Sequence, residues 1–198
     1  KFEMNPTQNT SEDPKEPTEP YSFSWPQWTV NVNELDIKNQ NIEFYQNGKR
    51  PVRNTFSPEA LAFKSFYFKL NNLEVTKDES LGFDLDNLRF EEESGLSLKE
   101  FQVDTRLNSE ETTFQDLRFK LNNSLLYANL KLNYRNLERL INSPEKSVIT
   151  LDVSSIKVDV KDVYVFSSEL KKNNQIQNLA QHPFEGKFEA EGNLEKLN

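Results

Sequence analysis

Few side chains in this 198-residue chain could do chemistry, and their spacing limits what that chemistry could be. There is one histidine, His182, next to Pro183 in a segment with loop character. A lone loop imidazole has no neighbour to make it a base or a metal ligand, so it reads as a surface residue. Ser94-Gly95 sits in a glutamate-rich stretch and not in a strand-to-helix elbow; G-x-S-x-G, a glycine-rich phosphate loop and H-E-x-x-H are all missing. Asp84 and Asp86 share one face of a strand, whereas glycoside hydrolysis needs two carboxyls facing each other across a cleft. Asp152, Asp159 and Asp162 offer oxygen donors of the kind calcium takes, but acids at strand spacing are ordinarily just solvated. With no cysteine, thiolate metal sites, disulfides and a cysteine nucleophile are excluded. The expectation is a protein that is not an enzyme and carries no metal or cofactor.

What these polar residues do share is a frame. Phe83, Leu85, Leu88 and Phe90 follow the figure φ-x-φ-x-x-φ-x-φ, where φ is apolar, and Leu96, Leu98, Phe101 and Val103 repeat it. It recurs at Val30, Val32, Leu35, Ile37, at Phe68, Leu70, Leu73, Val75, and at Leu151, Val153, Ile156, Val158, with Val158, Val160, Val163, Val165 overlapping the last. The x residues are charged or amide, as at Asn31, Asp36, Lys69, Glu74, Arg89 and Asp152. Alternation with period two puts φ on one face of a strand and x on the other. The doubled x would throw the later φ residues onto the wrong face unless the strand bulges or turns there. A turn would leave strands of about three residues, shorter than usual, so a bulge is expected, and bulges curl a sheet. Two architectures fit: a half-buried sheet of a sandwich or barrel, and a curled antiparallel sheet whose apolar concave face is a groove.

Composition narrows the partners. Asp and Glu outnumber Lys and Arg 32 to 24, a net charge of −8, and there is no basic patch, which speaks against nucleic acid. Fifteen Phe make the φ positions bulky, while mean hydropathy is strongly negative, as two-faced strands require. No apolar run approaches the roughly 18 residues that span a bilayer. The chain begins at Lys1 with no signal peptide, which reads as a fragment or processed chain.

In order along the chain, Lys1 to Ser24 carries Pro6, Pro14, Pro17 and Pro20 among Glu, Thr and Asn, and reads as a disordered linker preceding a β-rich domain over residues 25–198. Trp28 to Ile37 is a strand, Asn39 to Asn41 a turn, and Ile42 to Phe44 its returning partner. Gly48 to Pro58 is a loop. Strands follow over Leu61–Val75, Leu81–Phe90, Leu96–Leu107, Phe114–Leu121 and Leu125–Tyr134, with Glu91 to Gly95 a turn bearing a solvated charged tip. Strands at such short spacing favour an antiparallel meander. Asn136 to Asn142, stopping before Pro144, and Ser167 to Gln181 break the alternation and read as short helices capping an end or edge of the sheet. Phe184 to Leu194 resumes as a strand, the start of a further unit.

The stretches WTVNVNELDIKNQNIEF (Trp28–Phe44), LRFEEESGLSL (Leu88–Leu98) and LRFKLNNSLL (Leu117–Leu126) resemble the AsmA-like superfamily, specifically TamB-type translocation and assembly module proteins of the Bacteroidota kind. DVYVFSSEL (Asp162–Leu170) and FEGKFEAEGNL (Phe184–Leu194) are similar to that family's closing and restarting unit. The resemblance implies a segment of a long periplasmic envelope protein, anchored in the inner membrane and reaching an outer-membrane barrel partner. Its repeating strands would form a taco-like β-groove that conducts phospholipid between membranes or assists outer-membrane protein assembly. On that reading Phe68, Leu70, Phe83, Leu85, Leu88, Phe90, Leu98, Phe101 and Phe119 line the groove against acyl chains. A scaffold whose strand edges hold a nascent barrel is a second expectation. A secreted β-sandwich binding glycan or another ligand through its loops is the third.

Overall fold

A computed structural model describes residues 2–4, 24–53, 55–166, 168–181 and 183–193. Most of the expected linker, and His182, lie outside the described residues.

The chain is mainly β, an open antiparallel sheet with a few short helices, as the alternation demands. Its strands are β1 (Phe2–Met4), β2 (Val30–Gln46), β3 (Ala60–Thr76), β4 (Ser80–Glu92), β5 (Ser97–Asn108), β6 (Glu111–Leu121), β7 (Ser124–Asn133), β8 (Val148–Val158) and β9 (Phe184–Asn193). They lie in the sheet in chain order, so each pairs only with its sequence neighbours. All pairs are antiparallel except β1, which runs parallel beside Phe44–Gln46. Among the described residues there is this one sheet and no second one to make a sandwich.

The doubled x positions are where the strands deform. In β8 the pair Ser154-Ser155 shifts register against both β7 and β9. In β3 Asn72 takes φ +51° beside the shift between Asn71 and Glu74, and in β6 Asp116 takes φ +50° between Phe114 and Leu117. Asn and Asp tolerate this left-handed conformation better than other side chains, and at the β6 bulge the Asp116 backbone N–H is taken up by Asn129 Oδ1 on the neighbouring strand at 2.9 Å. Each bulge restores φ to its own face and bends the strand, which is why the sheet is curled. Between β2 and β3 the result is apolar against apolar: Val30 with Val75, Val32 with Leu73, Leu35 with Leu70, Ile37 with Phe68.

Three expectations are corrected. Residues 39–41 are not a hairpin turn: β2 runs unbroken from Val30 to Gln46, with Asn39 at φ +50° in a bulge. The opposing β3 is equally long and bulges at Ser65, φ +52°, so Ile42 and Phe44 pair onward with Phe63 and Leu61. The four valines from Val158 to Val165 are not a strand; β8 ends at Val158 and Val160–Val165 is a 3-10 helix. Asp159 starts it by accepting from Lys161 N–H, and the Asp162 carboxylate is fixed by Asn123 N–H at 2.9 Å, Asn123 Nδ2 at 3.3 Å and Ser124 Oγ at 2.7 Å. Glu92, read as part of a solvated tip, is buried at 6 % exposure near the end of β4.

The predicted helices are present. Helix α1 (Leu137–Asn142) is capped by Asn136, whose side chain accepts from Arg139 N–H, and buries Leu137. The second region holds a 3-10 helix (Ser168–Lys172) and α2 (Asn174–Leu179). The Val160–Val165 helix acts as a strap across one end of the sheet: Asp162 grips the β6–β7 turn, while Val165 C=O accepts from Phe56 N–H at 2.9 Å and Phe166 meets Phe56 edge to face at 5.3 Å. Phe56 belongs to the β2–β3 loop, near the opposite edge. Laid flat, β2 and β8 would stand about 29 Å apart at roughly 4.8 Å per strand. The strap helix itself covers only about 12 Å, so curl and loop supply the rest.

Candidate functional site

Among the described residues, the apolar face of the sheet gathers the large hydrophobic side chains on one surface. At its centre Leu70, Leu85 and Val103 are buried at 8 %, 5 % and 3 % exposure, with Phe68, Leu73, Phe83, Leu88, Phe101, Phe114 and Leu117 packed around them in part. These are lateral neighbours on β3 to β6: Leu70 pairs with Leu85, Leu85 with Val103, and Phe68 with Leu88. No facing sheet among the described residues covers them. Bulged strands bend, and burial to this degree on one face accords with the sheet bending toward the φ side chains.

Of the residues expected to line a groove, Phe68, Leu70, Phe83, Leu85, Leu88 and Phe101 belong to this cluster. Leu98 is buried between Phe90 and Leu121 as cross-strand partners. Phe90 is half-buried and meets Phe63 edge to face at 4.8 Å; Phe119 is half-buried and meets Phe101 at 5.9 Å in the same geometry. Thus Leu70, Leu85 and Leu98 make a floor, and the phenylalanines stand around it with part of each ring accessible. Val103, Leu73, Phe114 and Leu117 complete the face and were visible in the same alternation. Toward the sheet edges the cover thins: Leu35 and Ile42 on β2, and Phe184 and Phe188 on β9, are exposed.

The other face is an ion-pair surface. Lys69 lies between Glu34 and Asp86, Arg106 meets Asp84 at 2.7 Å, and Lys120 meets Glu100, Lys131 Glu111, and Lys157 Glu185 at 2.6–2.9 Å. Gly82 leaves the room Arg106 needs, since a Cβ there would come within 3.1 Å of its side chain. Partial burial disfavours the Asp84 carboxylate, but hydrogen bonds from Asn72 and Arg106 outweigh it and hold its pKa below the ordinary value. Its cross-strand partner Asp104 is pushed the other way, first by burial and then by the charges of Asp84 and Asp116. Such exposed pairs are worth little each and serve to fix register and keep this face wet.

The described residues singled out for chemistry do not converge. Asp159 and Asp162 are used as a cap and a latch, Asp152 is exposed on β8, and among the described residues no group of three or more His, Cys, Asp or Glu is placed to hold a metal. Ser94 donates through Oγ and N–H to the Glu92 carboxylate, which also accepts from Ala62 N–H at 3.2 Å. That arrangement staples β3 to the β4–β5 turn. Among the described residues, no helix is long and apolar enough to cross a membrane.

No protein-family model, curated protein or solved structure matches the chain.

Proposed function

We propose that the chain is a non-enzymatic, periplasmic segment of an AsmA/TamB-like envelope protein, anchored in the inner membrane as a whole, whose apolar groove takes the acyl chains of phospholipid on their way between membranes. The observation that supports this reading most is the half-covered φ face. A chain that folds for stability alone buries its large apolar side chains; here Phe68, Phe83, Phe90, Phe101 and Phe119 are all partly accessible on one concave surface of a single open sheet. Apolar surface left in water costs about 25 cal/mol per Å², so a bound hydrocarbon chain that covers it is stabilising. The opposite face, laced with ion pairs, keeps such a segment hydrated on its outside. An outer-membrane barrel partner would then be met elsewhere in the longer protein.

Lipid analysis of the purified chain tests this. Extraction and mass spectrometry should recover phospholipid from the wild type and markedly less from Phe101→Asp and Phe119→Asp, whose half-exposed positions let a charge stay hydrated and the sheet stay folded. Wet-face changes such as Arg89→Glu should leave the lipid in place. Recovery of no phospholipid from the folded wild type, or equal recovery from all variants, would overturn the reading.

A further inference from the structure

The ladder between β4 and β5 is broken in its middle. Ser80–Leu85 pair in step with Val103–Asn108, then pairing stops, and it resumes in the same register only at Phe90 with Leu98 and Glu91 with Ser97. The sequence explains the gap. Asp86-Asn87 and Lys99-Glu100 are the doubled polar positions of the two strands, and both fall within it. Asp86 is the extra residue against β3, where Lys69 pairs with Asn87 and Leu70 with Leu85; Lys99 is the extra residue against β6, where Leu98 pairs with Leu121 and Glu100 with Lys120. One bulge in each strand leaves the register unchanged beyond them and bends both strands in between.

Within the gap the side chains turn away from each other. Continued register would set Leu88 against Glu100 and Arg89 against Lys99, and neither pairing is attractive. Instead Asp86 pairs with Lys69 at 3.3 Å, and the Arg89 guanidinium lies 4.7 Å from the Tyr67 ring centre, both on β3. On the other side Glu100 meets Lys120 at 2.6 Å and Phe101 meets Phe119, both on β6, and Lys99 donates to Asn122 C=O just beyond it. Asn87 Oδ1 is buried in the gap without a hydrogen-bond partner among the described residues. A cavity of about 290 Å³ lies against Arg89, Phe90, Leu98 and Lys99, where pairing resumes. Over this interval each strand is stitched to its outer neighbour and not to the other.

We infer that this seam is a hinge running parallel to the strands, on which the half-sheet ending in β4 and the half-sheet beginning with β5 pivot to widen or narrow the apolar face. The strap joins the two halves on their far sides, at Phe56, and so bounds the swing. That the swing admits and releases an acyl chain rests on the function proposed above; the hinge itself does not.

Hydrogen exchange and a staple test it separately on the whole chain. Amides of 86–89 and 99–102 that point into the seam should exchange about tenfold or more faster than the cross-strand amides of 80–85 and 103–108. The chain has no cysteine, so Arg89→Cys with Lys99→Cys, both exposed and set opposite each other by the continued register, can be bridged by dibromobimane. The bridged protein should release a phosphatidylcholine carrying a pyrene-labelled acyl chain about tenfold more slowly than the same variant capped at both sulfurs with iodoacetamide. Equal exchange inside and outside the seam, or equal release from the bridged and the capped protein, would overturn the hinge. Probe bound by neither protein would sink the groove reading instead, and the exchange contrast would then decide the hinge alone.

Discussion

Replacing Glu92 should destabilise the fold more than any change of a surface acid, and in a definite order. Its carboxylate is 6 % exposed, faces no cation among the described residues, and is held by three donors: Ala62 N–H at 3.2 Å, Ser94 N–H at 2.8 Å and the Ser94 hydroxyl. In Glu92→Ala the two backbone N–H groups lose their acceptor in a dry site, at about 1–3 kcal/mol each, less whatever is regained by not burying a charge. A net loss of about 2–4 kcal/mol follows. In Glu92→Gln one oxygen still serves Ala62, and the Ser94 hydroxyl can turn to accept, but the new NH2 faces the Ser94 N–H, which cannot; about 1–2 kcal/mol should be lost. Urea unfolding followed by circular dichroism reads this directly, since at a slope near 2 kcal/mol per M the alanine variant shifts the midpoint by about 1–2 M. A midpoint within about 0.2 M of wild type, or a glutamine variant weaker than the alanine one, would refute the reasoning.

Two further outcomes follow from the same geometry. Asp162→Ala removes the latch on Asn123 and Ser124, so amide exchange over residues 160–166 should accelerate about tenfold or more while the β3–β6 amides are unaffected; unchanged exchange in the strap would show that Phe56 alone holds it. Asp104 is an acid with a raised pKa, so its contribution is intact when protonated and lost as pH rises through the carboxylate range, whereas Asp84, with a lowered pKa, contributes above that range and loses it as pH falls. Asp104→Asn should therefore raise stability at neutral pH by about 0.5 kcal/mol after solvent screening, and have no such benefit at pH 3, as thermal unfolding at both pH values would show.

The apolar alternation carried most of the architecture because it reports directly which side of a strand each residue faces. It located the strands of the meander and both helical regions, and the doubled x named true bulges at Ser154-Ser155 and in β3 next to Asn72. It failed where one local signal serves two structures. Asn39 can end a strand or bulge within it, and what decides is the length of β3 lying opposite, a non-local fact. Val158 to Val165 alternates as a strand does, but β8 already has a neighbour on each side and Asp162 finds its donors 39 residues back in the chain. Glu92 looks like any acid in a charged run, and only folding brings Ala62 N–H to it. Which residues share the apolar face was legible; the division into buried Leu70, Leu85 and Leu98 and half-buried phenylalanines was not, because it depends on how the strands bend.

The central claim is that this concave face meets lipid. A photo-crosslinking residue placed at Phe90 or Phe101 on the φ face, and at Arg89 on the opposite face as control, tests it most directly in cells expressing the protein. Phospholipid adducts at 90 and 101 with none at 89 are the predicted result. Adducts absent from both φ positions while the variants remain folded, or equally abundant at 89, would contradict it.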